Sequence, residues 1–172
     1  SKRLERKNIY PIWEKPMLYW AIKACKESKY YVEPWVSTED LEIKDVAIKY
    51  GAKVHNRDPK LSKDKVYKQA VIREAAKYIF KAHGKFDVII SLQANSPQIK
   101  AEHLDEAIDV FREYERDEIF SVDENLMQNA ALRIFKGDYV FQKDLSTNCG
   151  VFVCPLHDVH TVKDVEFLEN ER

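Results

Sequence analysis

Apolar positions along the chain switch between a helical and a strand period almost from its start. Residues 16–29 place Leu18, Ala21, Ile22 and Cys25 on one helical face, opened by Pro16, which is favourable at a first helical position. Residues 32–38 (VEPWVST) have strand character, although Pro34 limits their pairing. In 39–50, Ile43, Val46, Ala47 and Tyr50 recur at i, i+3, i+4 and i+7, and Gly51 supplies the helical stop. A short strand, AKVHN, and a polar loop over 56–63 follow. A long helix over 64–83 ends at Gly84, with Val66, Ala70, Ala76, Ile79 and Phe80 near one side. The run FDVIISLQ (86–93) suits a strand covered on both faces. Residues 100–115 form another amphipathic helix through Leu104, Ala107, Ile108 and Phe111, and DEIFSVD is a further strand.

From 124 to 160 the pattern breaks into short β segments: LRIF, DYVFQ and CGVFVC. The last helix begins at Thr161, where Thr161 and Asp164 have capping-box spacing. This order predicts an α/β fold with a mainly parallel sheet flanked by helices and a small β insertion late in the chain. Residues 1–172 are expected to form a single domain of about the usual size. Such a domain normally opens with a strand, whereas here residue 1 stands in a basic loop ahead of the first helix.

Composition narrows the function. There are 28 Lys and Arg against 29 Asp and Glu, a net charge of -1, which removes bulk electrostatics as an argument for nucleic-acid binding. No apolar run approaches the roughly 18 residues of a membrane span, and the opening SKRLERK is not leader-like. Three cysteines are too few for a disulfide framework, so Cys25, Cys149 and Cys154 are expected to be reduced thiols in a cytoplasmic protein. With glycine only at 51, 84, 137 and 150, neither a dinucleotide fingerprint nor a P-loop can be written.

Ligands of open α/β sheets sit beyond the carboxyl ends of the strands, where three segments should converge. SKRLERKN carries Lys2, Arg3, Arg6 and Lys7, either a solvated basic stretch or a holder of polyphosphate. Gln93, Asn95 and Ser96 follow the strongest strand and suit either sugar or base recognition or an ordinary turn. In the third, Asp158 and His160 alternate. On a strand they would face the same way and could share a divalent cation. A zinc reading of Cys154, His157 and His160 lacks a fourth ligand nearby. His83 falls at a helix end, His55 at a strand end and His103 on an exposed helical face, while Met17, Tyr19 and Trp20 suit a core.

Taken in order, these segments resemble the cytidylyltransferases that activate sialic acids and related 2-keto-3-deoxy sugar acids. SKRLERKNI is similar to the second half of the family's nucleotide loop, A-R-x-G-S-K-x-I/L-x-x-K-N-I/L. KPMLYWAIKACKES is similar to G-K-P-L-x-x-x-x-I-x-A-A-x-x-S, and VSTEDLEIKDVAIKYGAKV to V-S-T-D-D-x-E-I-x-x-x-A-x-x-Y-G-A-x-V. RDPKLSKD resembles R-P-x-x-L-A-x-D, SLQANSP resembles L-Q-P-T-S-P, and DVHTVKDVEFLE the closing D-I-D-T-x-x-D-L/F. The chain departs at Glu14 (glycine in the family), Glu39 (aspartate) and Ala94 (proline), and it has Lys65-Val66-Tyr67-Lys68 where small residues are usual. The family's upstream arginine and first strand are absent from the sequence.

The resemblance implies a Rossmann-like, GT-A-like nucleotidyltransferase sheet and an enzyme joining CTP to a sialic-acid-like acid, giving CMP-sugar and pyrophosphate. Carried over residue by residue, Ser1, Lys2, Lys7 and Asn8 would contact the nucleotide, with Lys2 and Lys7 also neutralising charge during the reaction. Arg57 would lie near the base. Gln93, with Asn95 and Ser96, would lie beside the sugar acid. Asp158 would hold magnesium, with His160 where the family carries a second aspartate. An imidazole suits Mg2+ less than a carboxylate does, whereas Mn2+ accepts it. Relatives are dimers, which would give 124–150 a role in dimerisation and the sugar site, with Gln128, Asn129 and Gln142 as candidates there. Two alternatives stay open: a sugar 1-phosphate nucleotidyltransferase using another triphosphate, and a non-catalytic nucleotide-sugar-binding paralogue.

Overall fold

The computed structural model describes residues 4–62, 66–144 and 146–171. A two-stranded hairpin, β1 (Pro11–Ile12) and β2 (Lys15–Pro16), leads into α1 (Met17–Glu27). Its turn holds Trp13 and Glu14 at φ 50 and φ 62, left-handed values that the pattern of apolar residues did not announce. α1 buries Leu18, Ala21, Ile22 and Cys25 on the expected face.

β3 (Trp35–Thr38) pairs in parallel with β4 (Lys53–Asn56), and α2 (Leu41–Lys49) crosses between them. The strand starts three residues later than the pattern suggested. Pro34 offers no N–H, and only its carbonyl is used, accepting from Lys53 N at 2.9 Å. Asp40 caps α2 through hydrogen bonds from the Glu42 and Ile43 amides.

α3 (Lys68–His83) leads to β5 (Val88–Leu92), α4 (Ala101–Glu113) and β6 (Glu118–Val122). The late β segments join the same sheet: β7 (Gln128–Lys136) and β8 (Cys149–Val153) give the strand order β5-β7-β6-β8. β7 runs antiparallel between β5 and β6, and β8 lies parallel to β6. At Phe120/Val122 the β6–β7 register shifts, and the buried Ser121 hydroxyl accepts from the Leu132 amide at 3.0 Å. Gly137 closes β7 against β5; a Cβ there would stand 2.2 Å from the Phe86 carbonyl oxygen. The segment DYVFQ does not form a strand. Tyr139–Phe141 wind into a 3-10 turn that buries Val140 against Ala76 and Phe135.

Alternation on β5 and β7 feeds two layers. Val88, Ile90, Leu92, Leu132 and Ile134 pack against Ala107, Ile108 and Phe111 of α4. Ile89 and Phe135 face Ala76 of α3 on the other side. Each of the wholly buried Ile134 and Phe135 contributes roughly 1.5–3 kcal/mol. All five β5 residues nonetheless stay half-buried, because β5 is the outer strand of its sheet and its residues line a cavity. β3 lines the same cavity from the opposite side, so two strand edges face one gap.

α5 (Val162–Asn170) completes the fold, with Thr161 and Asp164 forming the expected capping box. Val165 and Leu168 pack on Leu4, Ile12, Met17 and Val159. Met17 is fully buried, as its apolar surroundings suggested, and Tyr19 and Trp20 stack edge to face. All three cysteines are free thiols. Burial pushes Cys25 up to about 12 and Cys154 to about 11, which leaves both inert, while Cys149 is exposed. Among the described residues no helix is long and apolar enough to cross a membrane.

Candidate functional site

The gap between β3 and β5 is a cavity of about 1610 Å³ that runs along both strands, from Pro34 and Asp87 ahead of them to Glu39 and Gln93 beyond their carboxyl ends. Lys7 and Asn8 reach its rim from a 3-10 turn (Lys7–Ile9), Glu39 from the end of β3, and Arg57 from the residue after β4. Lys68 comes from the first turn of α3, and Gln93 and Asn95 from the loop after β5. Backbone bonds fix this rim: Arg57 N donates to Thr38 O, and Gln93 N to Ala131 O.

Arg57 is oriented by Glu39. Its Nε and Nη2 both donate to Glu39 Oε2, at 2.9 and 2.7 Å. Burial pushes the Glu39 carboxyl up, but hydrogen bonds from Ser62 and Arg57 outweigh it and hold the group below its ordinary value. His55 is buried in β4 beside them. Burial and the Arg57 charge lower its pKa, so its ring is neutral at pH 7 and packs on Tyr78. His103 differs from its expected exposure: it is half-buried, and its Nδ1 accepts from the Lys100 amide.

The segment carrying Asp158 and His160 is not a strand. Residues 154–160 are extended coil stitched to the loop after β5. Val159 N donates to Asn95 O at 2.7 Å, and Asn95 Nδ2 donates to Val159 O at 3.4 Å. Ser96 Oγ, fully buried, donates to Asp158 Oδ1 at 2.5 Å. Asp164 organises the far side of the coil. It accepts from the His160 and Thr161 amides and the Thr161 hydroxyl, and His157 Nε2 lies 3.0 Å from its Oδ1. Burial pushes the Asp164 carboxyl up, yet these hydrogen bonds prevail and hold it well below the carboxylate range. Among the described residues no group of three His, Cys, Asp or Glu side chains could hold a metal, which also removes the zinc reading of Cys154, His157 and His160.

The structure thus gathers Lys7, Asn8, Arg57, Gln93 and Asn95 at one cavity rim, with Ser96 and Asp158 joined beside it. Asn95 and Ser96 serve as buried stitches of the 154–160 coil. His160 is exposed. Ser1 and Lys2 lie outside the described residues. In the late segment Asn129 is structural, its Nδ2 donating to Cys154 O at 2.8 Å, and Gln128 and Gln142 are exposed. Sequence reasoning missed two rim residues. Glu39 was legible only as a departure from the family pattern, and Lys68 only as a charge among usually small residues.

This architecture is a Rossmann-like α/β fold. The CMP:2-keto-3-deoxy-manno-octonic acid synthetase solved in complex with CTP superposes with a TM-score of 0.74 over 99% of this chain and 93% of that one, at 15% identity. A Mycobacterium tuberculosis protein solved with manganese reaches 0.68, at 13% identity, over 99% and 94%. At such identities the likeness shows the fold alone.

The sequence profile of the cytidylyltransferase family matches residues 1–147, and the chain belongs to that family. It is 38% identical over 122 residues to the N-acylneuraminate cytidylyltransferase A of Danio rerio, covering 71% of this chain and 27% of that protein. It is 32% identical over 125 residues to the pseudaminic acid cytidylyltransferase of Campylobacter jejuni, covering 72% and 54%. The chain therefore spans about a quarter of the vertebrate relative (27%) and about half of the bacterial one (54%).

Proposed function

We propose that this chain carries the nucleotide site of a CMP-sugar synthetase, which joins CTP to a 2-keto-3-deoxy sugar acid of the sialic or pseudaminic type. One observation carries the reading: the cavity between β3 and β5 gathers Lys7, Asn8, Arg57 and Gln93 where these strands end, beside the Asp158 coil. Family membership and the names of the relatives support it.

In the proposed reaction the anomeric hydroxyl oxygen attacks the α-phosphorus. The new P–O bond forms as the bond to the bridging oxygen breaks, pyrophosphate leaves with the electron pair, and the hydroxyl proton passes to solvent. The protein's task is alignment and charge neutralisation. Lys7, together with Lys2, meets the phosphates, and Asn8 the ribose. Arg57, aimed by Glu39, lies toward the base. Gln93, half-buried in its loop, presents its amide to the sugar acid.

Asp158 fits a divalent cation. Ser96 occupies one of its oxygens and leaves the other available, and magnesium is commonly held by one or two carboxylates with the substrate phosphates completing its shell. Bound there, magnesium or manganese would neutralise phosphate charge. The coil holds Asp158 through Ser96 and Val159, and His160 stands at its exposed end. A homodimer using the 124–150 region and a cytoplasmic setting complete the proposal.

Binding of the four nucleoside triphosphates tests the site itself. CTP should bind more tightly than UTP, GTP or ATP. Equal or tighter UTP or GTP binding would favour the sugar 1-phosphate alternative. The Glu39–Arg57 pair favours one second reading, a non-catalytic nucleotide-binding relative, because it commits the base-side guanidinium to the protein. CTP binding with no pyrophosphate release would support that reading.

A further inference from the structure

Lys68 has no counterpart in the roles assigned above. It opens α3 at the cavity rim, and among the described residues it makes no hydrogen bond or ion pair. The other rim cation from the strands, Arg57, is already neutralised by Glu39. Among the described residues, two charges act on the Lys68 ammonium: Arg133, which repels it, and Asp158, which attracts it. Arg133 in turn is held by the buried carboxylate of Glu118. Lys68 is exposed at the rim, and desolvation and then the Arg133 charge lower the pKa of its ammonium. If Asp158 is engaged by a divalent cation, Lys68 loses the attraction of that carboxylate and the rim gains positive charge. An anionic oxygen of the substrate would then balance Lys68 and the ion together, Arg133 being paired already with Glu118. A long, flexible ammonium at a first helical turn suits this task, since it can act as a point charge without the fixed fork of an arginine.

We propose that Lys68 is a further substrate-binding residue of this site, its ammonium taking an anionic oxygen, phosphate or carboxylate, of a bound substrate beside Asp158. The inference rests on the nucleotide-site reading, and its test separates the two. Equilibrium binding of tripolyphosphate, CTP and a 2-keto-3-deoxy sugar acid is compared in the wild type, Lys68→Met and Lys68→Arg.

Lys68→Met should weaken binding of either the phosphate ligands or the sugar acid by about tenfold, as for loss of a charged hydrogen bond, while Lys68→Arg keeps most of the affinity. Weakening of tripolyphosphate and CTP assigns Lys68 to the phosphates, and weakening of the sugar acid alone assigns it to the carboxylate. Wild-type affinities for all three ligands in Lys68→Met overturn the proposal, as does a wild type that binds none of them. If the wild type binds tripolyphosphate but never releases pyrophosphate from CTP, the synthetase reading fails. The Lys68 comparison still decides its own question in that case. The unfolding midpoint of Lys68→Met without ligand should match or exceed that of the wild type. A marked fall would show that Lys68 is structural and would also overturn the proposal.

Discussion

Ser96 Oγ donates to Asp158 Oδ1 at 2.5 Å, joining the loop after β5 to the coil before α5 across 62 residues of sequence. This bond brings the proposed metal carboxylate to the strand ends. Removing the carboxylate charge with Asp158→Asn should lower metal-dependent turnover at least about 100-fold, as expected for several kcal/mol of lost transition-state stabilisation. Ser96→Ala, which leaves the carboxylate but not its support, should cost roughly 10-fold in activity or metal affinity. Steady-state rates across a magnesium titration check both. An Asp158→Asn protein with a normal metal response would make the coil purely structural.

Glu14 occupies a left-handed conformation, φ 62, in the tight turn between β1 and β2. A Cβ there is disfavoured, whereas glycine adopts the conformation freely. Glu14→Gly should therefore stabilise the protein by roughly 1 kcal/mol, the relief of about 1–3 kcal/mol of left-handed strain less the greater freedom glycine loses on folding. Chemical denaturation reads this directly. A loss of stability would mean that the Glu14 side chain contributes more than its backbone costs.

Acid should expose the carboxylates that the fold holds charged. Glu39 and Asp164 have pKa values depressed below their ordinary 4.5 and 3.8. Their stabilising contribution is complete above those unfolded-state values and is lost as the pH falls through the folded ones. Stability should thus decline from about pH 4.5 downward. Asp164→Asn should flatten that decline and cost about 1 kcal/mol at neutral pH through the weakened helix cap. Unfolding free energies measured against pH test the sign. A decline that begins only above neutrality would contradict it.

Much of this was legible in the sequence because local rules and tertiary packing agree. α1, α2, α4 and α5 lie where the 3.6-residue period placed them, and the Thr161–Asp164 box forms as its spacing required. The departures occur where a distant partner decides. Tyr139–Phe141 reads as a strand but turns, because Val140 is taken by Ala76 and Phe135. Residues 157–160 alternate like a strand but run as coil, because Val159 is fully buried and its backbone bonds to Asn95. The order β5-β7-β6-β8 depends on which edges meet, and no periodicity encodes that. At the site, Arg57 and Gln93 could be named from motif order alone. The grip of Glu39 on Arg57 and the position of Lys68 needed β4 and α3 folded around one cavity.

The most direct test is pyrophosphate release from protein shown to be folded, supplied with each nucleoside triphosphate, a panel of 2-keto-3-deoxy sugar acids, and magnesium or manganese. The account predicts release with CTP and at least one acid of the sialic or pseudaminic type, dependent on the metal. Release with a different triphosphate and a sugar 1-phosphate, or silence across the whole panel, would contradict it.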